Sequence, residues 1–241
     1  MIGGVAETDD RSFEGIESAW ARVEAALRRV LPDSLPLLAG PAAASEIDAI
    51  EAALEVVLPP DFRASLGIHN GSNFGGPAPV PLDHLFSAGE IVAMTQAWDS
   101  EEDSDLDSPP VMAYLIDRGM LHVSGPVRPT SSLRNRVVVG TMNGDVNWFI
   151  DLDPPEGGTP GQVVRLDIEC SQWDVLAPSW TALLVRYAED LERSADDPER
   201  STLVIDELGP ACEWGIDPVD KPPRPAWLRD VQARPPRTWT W

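Results

Sequence analysis

Apolar residues recur at helical spacing toward both ends of the chain and at strand spacing between them. Phe13, Ile16, Trp20, Val23, Leu27 and Val30 fall at steps of three and four, which predicts an amphipathic helix over Ser12 to Leu31, ended by Pro32. A Pro/Gly loop from Leu35 to Ala43 follows. Ser45 with Asp48 then gives a capping-box-like start to a second helix that turns Ile47, Ile50 and Leu54 inward. Leu58-Pro59-Pro60-Asp61 interrupts that helix and starts a short third one, because proline is tolerated in a first turn. Phe62 and Leu66 face inward from it, and His69-Asn70-Gly71-Ser72 is its exit turn. Ser87 is placed to cap a helix through Trp98, with Ile91, Met94 and Trp98 at helical spacing. Trp180, Leu183, Leu184, Tyr187 and Leu191 predict a last helix within Pro178 to Arg193.

Between these helices the period changes to two. Met120 to Val123 and Arg136 to Thr141 read as strands, and the second leads to Asn143-Gly144, a pair that tolerates positive φ and favours a tight hairpin. Along the return strand Val146, Trp148, Ile150 and Leu152 share one face, and Asn147, Phe149, Asp151 and Asp153 share the other. Pro154-Pro155 breaks the strand, and a third member of a meander runs from Gln162 to about Ile168. The expected fold is α+β, with a mixed, mainly antiparallel central sheet flanked by N-terminal helices and a C-terminal helix.

Composition narrows the function. The chain carries 40 acidic against 18 basic residues, a net charge of −22. Such a field repels phosphate backbones and anionic lipid and attracts basic partners, so neither direct nucleic-acid binding nor membrane binding is expected. Solubility or a general acidic bias would produce the same excess. Cys170 and Cys212 are too few for a disulfide framework, which points to a reducing cytoplasm. The first fifteen residues lack a basic region followed by an apolar run, and no segment approaches about 20 consecutive apolar residues. Beyond Ser194 the chain becomes Pro-rich and holds Trp214, Trp227, Trp239 and Trp241. Two units are therefore expected: a domain over residues 12–195, and an extension over residues 196–241 that packs on it. A partner-capturing tail is the competing reading of the extension.

Taken in order, several elements resemble the Smi/Knr-like proteins of the SUKH superfamily. They are the leading helix with Trp20, the Ile50-Glu51 pair, the junction from Leu58 to Arg63, the Ile68-His69-Asn70-Gly71 turn, the Asp151-Leu152-Asp153-Pro154 strand end, Gly157-Gly158 and Gly161-Gln162-Val163-Val164. The resemblance implies a mixed sheet flanked by helices and a binding role without catalysis. For bacterial members that role is immunity, the neutralisation of a toxin that is often a nuclease; for fungal members it is regulation of cell-wall assembly. Trp20, Glu51 and Pro59 are expected to be structural. The acidic run that includes Glu102 and Asp103, and the extension, lie outside the resemblance.

The expected partner is a basic protein, contacted through the Asn70 to Gly76 loop with Asn70 and Gly71, the polar sheet face of Asn147, Asp151 and Asp153, and the acidic run with Glu102 and Asp103. Trp148 joins this surface only if it is exposed; core packing is its other reading. Glu51, at the border of a buried stripe, sits at a rim or hydrogen-bonds toward the loop near Asn70. Asp151, Asp153 and Glu156 do not reproduce the regular oxygen spacing of a calcium loop, so no metal and no cofactor is expected. His69, His84 and His122 fall in no metal-ligand spacing, and neither a nucleophile elbow nor a phosphate-cradling glycine loop is present. An undetected metal-dependent hydrolase is the third reading, behind immunity and regulation.

Overall fold

The structure, a computed structural model, describes residues 15–98, 107–130, 134–197, 203–206, 209–212, 214 and 223–236. Among the described residues, six α-helices and a six-stranded sheet make an α+β fold. The strands are β1 (His84–Leu85), β2 (His122–Ser124), β3 (Arg136–Met142), β4 (Val146–Asp151), β5 (Gln162–Asp167) and β6 (Gln172–Ala177), in the spatial order β1-β3-β4-β5-β6-β2. All neighbours pair antiparallel except β2, which lies parallel to β6 at the far edge. Asn143 and Gly144 have φ of 52° and 81°, the conformation a two-residue hairpin demands.

Helices α1 (Ile16–Val30), α3 (Pro60–Leu66) and α6 (Trp180–Asp196) meet at a single hydroxyl. Ser65 Oγ accepts the indole N–H of Trp20 at 2.8 Å and that of Trp180 at 2.8 Å. All three residues are buried, so the serine satisfies two donors that would otherwise lack an acceptor. Around this point Phe62 packs edge-on against Trp180 and His69 against Trp20. Asp61 accepts from the Thr181 backbone at 2.9 Å, and Arg22 forms a two-pronged pair with Glu192 at 2.9 and 2.7 Å.

Helix α2 (Ala44–Leu54) begins one residue before Ser45, and no Ser45–Asp48 box caps it. Instead the Glu46 carboxylate accepts from Ala43 N at 2.7 Å, while Asp48 binds Arg63. Ser87 does precede α4 (Ala88–Trp98), although its hydroxyl donates to Glu90, which also accepts from Ser87 N. Elements that went unread in the sequence include α5 (Pro109–Asp117), with both prolines in its first turn, β1 and β6.

Part of the C-terminal sequence lies against this body. Trp214 is buried, stacks on Trp148 at 5.8 Å and donates to Asp190 at 2.9 Å. Strands β7 (Leu203–Asp206) and β8 (Gly209–Cys212) form a separate antiparallel pair. Arg224 pairs with Asp117 of α5, and Arg234 N donates to Pro110 O at 2.9 Å. Trp239 and Trp241 lie outside the described residues.

Replacing Ser65 by Ala leaves two buried indole N–H groups without an acceptor, a loss of about 2–6 kcal/mol at about 1–3 kcal/mol for each stranded group. Urea denaturation followed by tryptophan fluorescence measures it, and a loss below about 0.5 kcal/mol would show that the hydroxyl is not the tie between the three helices.

Candidate functional site

Strand β4 alternates as its pattern demands, but both of its faces are covered. On one side Trp148 meets Trp214, which touches Tyr187 of α6. On the other, Phe149 packs edge-on against Trp98 of α4 and stacks with Trp173 of β6. The face predicted to be polar surface is therefore interior. Asn147 is 1% exposed, Trp148 4% and Asp151 1%. Asn147 Nδ2 donates to Gly144 O at 3.0 Å inside its own hairpin. A protein docking on this structure touches none of these three side chains.

Asp151 belongs to a buried polar group that spans three strands. Its register neighbours are Arg136 on β3 and Gln162 on β5. Arg136 Nε lies 3.6 Å from Asp151 Oδ1, and both side chains are almost fully buried. Arg136 Nη2 donates to Arg128 O at 2.5 Å, and the guanidinium lies 5.1 Å over the Trp173 ring. Gln162 Nε2 donates to Pro126 O at 2.9 Å, which fastens the loop after β2 over the same face. Burial pushes the Asp151 carboxyl up, opposed by the Arg136 charge, and pulls the Arg136 guanidinium down, opposed by Asp151. On the opposite face Arg165 bridges Asp167 at 2.8 Å and Asp174 at 3.1 Å.

The other sequence-predicted residues separate into anchors and surface. Asn70 Oδ1 accepts from Ala88 N at 2.7 Å and so caps α4. Gly71 has φ +81°, and a Cβ there would sit 2.6 Å from Leu85 O, so the chain passes where only glycine fits. Glu51 does not reach toward Asn70; it accepts from Leu58 N at 2.9 Å and Arg63 Nη1 at 2.6 Å, closing the α2–α3 junction. Pro59 packs against Gly161, and Trp20 is the buried donor to Ser65. Asp153 and Glu156 are exposed, with Asp153 3.6 Å from Arg128. Glu102 and Asp103 lie outside the described residues.

The loop after α3, part of the surface expected from the sequence, carries an aromatic ring that the sequence did not single out. Phe74 is 72% exposed, yet its ring stacks on His84 at 4.3 Å. His84 Nε2 in turn meets Glu90 Oε1 at 2.9 Å. Partial burial raises the Glu90 carboxyl, but hydrogen bonds from Ser87 and His84 outweigh that and hold it below the ordinary carboxylate range. Nothing in the spacing of Asn73-Phe74-Gly75-Gly76 distinguishes an exposed phenylalanine from a buried one.

Two clefts of about 490 and 450 Å³ open at the Asp151 end of the sheet, one lined by Glu55, Thr95, Gln96 and Arg134, the other by Ser124, Glu156, Arg224 and Trp227. No histidine or cysteine lines either cleft. Among the described residues no three His, Cys, Asp or Glu side chains come together as a metal site, and no helix is long and apolar enough to cross a membrane.

The profile of the SMI1/KNR4 family (SUKH-1) matches residues 41–186, more than half of the chain. The chain belongs to this family. The SUKH-1 match covers Glu51, Pro59, Asn70, Gly71 and strands β1 to β6, and ends inside α6. Helix α1 with Trp20 precedes it, and the C-terminal pieces follow it. No curated protein matches the chain.

Two outcomes follow from these contacts. Asp151→Asn leaves the buried Arg136 charge uncompensated and is expected to cost about 3–5 kcal/mol, whereas a double change of Arg136→Met with Asp151→Leu should cost clearly less. A loss in the double variant equal to the sum of those of Arg136→Met and Asp151→Leu alone, in denaturant titrations, would show that the pair is not coupled. Glu90 has a depressed folded pKa, so its contribution to stability is present above the unfolded value of 4.5 and is lost as pH falls through the folded one. Glu90→Gln should therefore flatten that part of the acid limb in a thermal-midpoint profile against pH, and an unchanged limb would contradict the assignment.

Proposed function

We propose that the chain is a non-enzymatic binding protein that neutralises a basic toxin domain in the cytoplasm by covering its active surface. SUKH-1 membership supports protein binding without catalysis. The observation that carries the finer reading is the charge left over once the interior is paired. Asp151, Asp174, Asp190, Glu51 and Glu192 all meet arginines or backbone and indole donors within the fold. Glu17, Asp33, Asp83, Glu156, Glu169 and Glu189 are exposed, and the chain remains at −22. A field of this sign speeds encounter with a cationic protein and disfavours competition by nucleic acid for the same surface.

Occlusion is the mechanism such a protein can use. It presents a rigid, negatively charged body to the cationic groove with which a nucleic-acid-cleaving domain holds phosphates, and so replaces the substrate electrostatically. No bond is made or broken.

The test is co-expression with each neighbouring gene product that proves toxic when expressed alone. Rescue of growth, co-purification, and an association rate that falls at least tenfold between about 50 and 300 mM salt are expected. Failure of rescue together with failure to co-purify would remove the toxin reading.

A further inference from the structure

The acidity is unevenly distributed. Residues 30–117 contain fifteen Asp and Glu against a single Lys or Arg, Arg63, and so hold −14 of the chain's −22. That one arginine is engaged by Asp48 and Glu51. The stretch builds the 3₁₀ turn Pro32–Leu37, helices α2 to α5, the loop between α3 and β1, and β1 itself. Phe74 stands in this loop.

The root of the loop is fastened on two sides. Asn73 N donates to Leu37 O at 2.7 Å and Ala39 N to Gly71 O at 3.1 Å, which ties it to the 3₁₀ turn. Ser72 N donates to Leu85 O at 2.8 Å, and Leu85 N returns a bond to Ser72 Oγ at 2.9 Å, which ties it to β1. The Phe74 ring is then held by His84, itself flanked by Phe86 and bound to Glu90. One ring face is covered and most of the side chain is open to solvent. One carboxylate, Glu90, stands beside this position and holds the His84 ring; Asp83 immediately precedes His84 but accepts from Asn143 N at 2.7 Å, and Asp33 is exposed in the 3₁₀ turn whose Leu37 ties the loop.

We infer that Phe74, set in this acidic stretch beside Glu90, is the anchor of the interface, seating its ring in an apolar pocket of a partner whose surrounding surface carries Lys and Arg. The inference rests on the toxin-binding reading above and specifies where the contact is centred. An aromatic ring fixed in advance gives up little rotamer freedom on docking, and interface energy concentrates in a few such residues enclosed by a polar rim. The sign of the rim selects a cationic partner, and the phenylalanine distinguishes this contact from a purely electrostatic one, since a ring adds affinity that salt does not screen.

The test is calorimetric titration of purified wild-type chain, Phe74→Ala, Phe74→Tyr and Val57→Ala against the purified neighbouring gene product whose toxicity co-expression with the chain relieves. Val57 is 82% exposed on the link between α2 and α3 and serves as the apolar surface control. The expected result is about thirtyfold weaker binding or more for Phe74→Ala, binding within a few-fold of wild type for Phe74→Tyr, and no change for Val57→Ala. Thermal midpoints of the variants should match wild type, because Phe74 is a surface residue. Wild-type affinity in Phe74→Ala overturns the anchor and leaves the toxin-binding reading standing. Absence of binding by the wild-type chain removes both. Self-association that disappears with Phe74→Ala would assign the ring to a second copy of the chain and likewise overturn the inference.

Discussion

A strand covered on both faces must satisfy its polar side chains from within, and that constraint organises the centre of this protein. Strand β4 lies between the α6 side, reached through Trp148 and Trp214, and the α4 side, reached through Phe149 and Trp98. Asp151 therefore cannot be solvated by water and has to be solvated by protein. Arg136, one strand away, supplies the charge, and Gln162, one strand away on the other side, supplies a polar neighbour. Taking both ions out of water costs several kcal/mol for each, which their attraction roughly offsets, so the pair adds little net stability. Its effect is on register. A slip of one residue in β3 or β5 would turn the partner to the opposite face and strand a buried charge.

The same logic extends outward from the sheet. Arg136 Nη2 and Gln162 Nε2 donate to the carbonyls of Arg128 and Pro126, so the segment after β2 is drawn over the sheet by polar groups whose positions the strands already fix. On the helical side Ser65 plays a similar part, because two indole donors from α1 and α6 converge on one oxygen of α3. In both places a buried hydrogen-bonding requirement, which is short-ranged and directional, determines how elements distant in sequence are placed, while apolar burial supplies most of the free energy.

Local signals were legible where a single residue type carries them. Asn143-Gly144 marks its hairpin because few pairs accept two positive φ values, and the α1 and α6 stripes are periodic enough to identify from spacing alone. Alternation along β4 was equally legible, but alternation reports sidedness and not exposure. Whether Asn147 and Asp151 meet water depends on Trp98 and Arg136, which tertiary structure brings in from outside the strand. Strand β6 was missed because Gln172 and Asp174 interrupt its apolar run, although both are buried, and Arg165 of the neighbouring strand meets Asp174. Helix α5 was missed because Pro109-Pro110 reads as a loop boundary, whereas in a first turn those prolines forgo only N–H groups that have no intrahelical partner. Glu51 was expected at a rim or hydrogen-bonded toward the loop near Asn70, but the donors it meets, Leu58 N and Arg63, belong to the junction that follows it.

Separating the acids by what they contact gives the charge a physical meaning. Acids that lie inside meet arginines or backbone donors and contribute little field at a distance, because each is neutralised within a few ångströms. The excess that a partner senses comes from exposed carboxylates, and with a screening length of about 8 Å in physiological salt their repulsion is local and only modestly opposes folding. Arginine in this chain is used largely within the fold: Arg22, Arg63, Arg136, Arg165 and Arg224 are each committed to a carboxylate of the protein itself. Charge reversal at the surface would therefore require new residues and not the exposure of existing ones, so the negative face is a property of the folded architecture as well as of the composition.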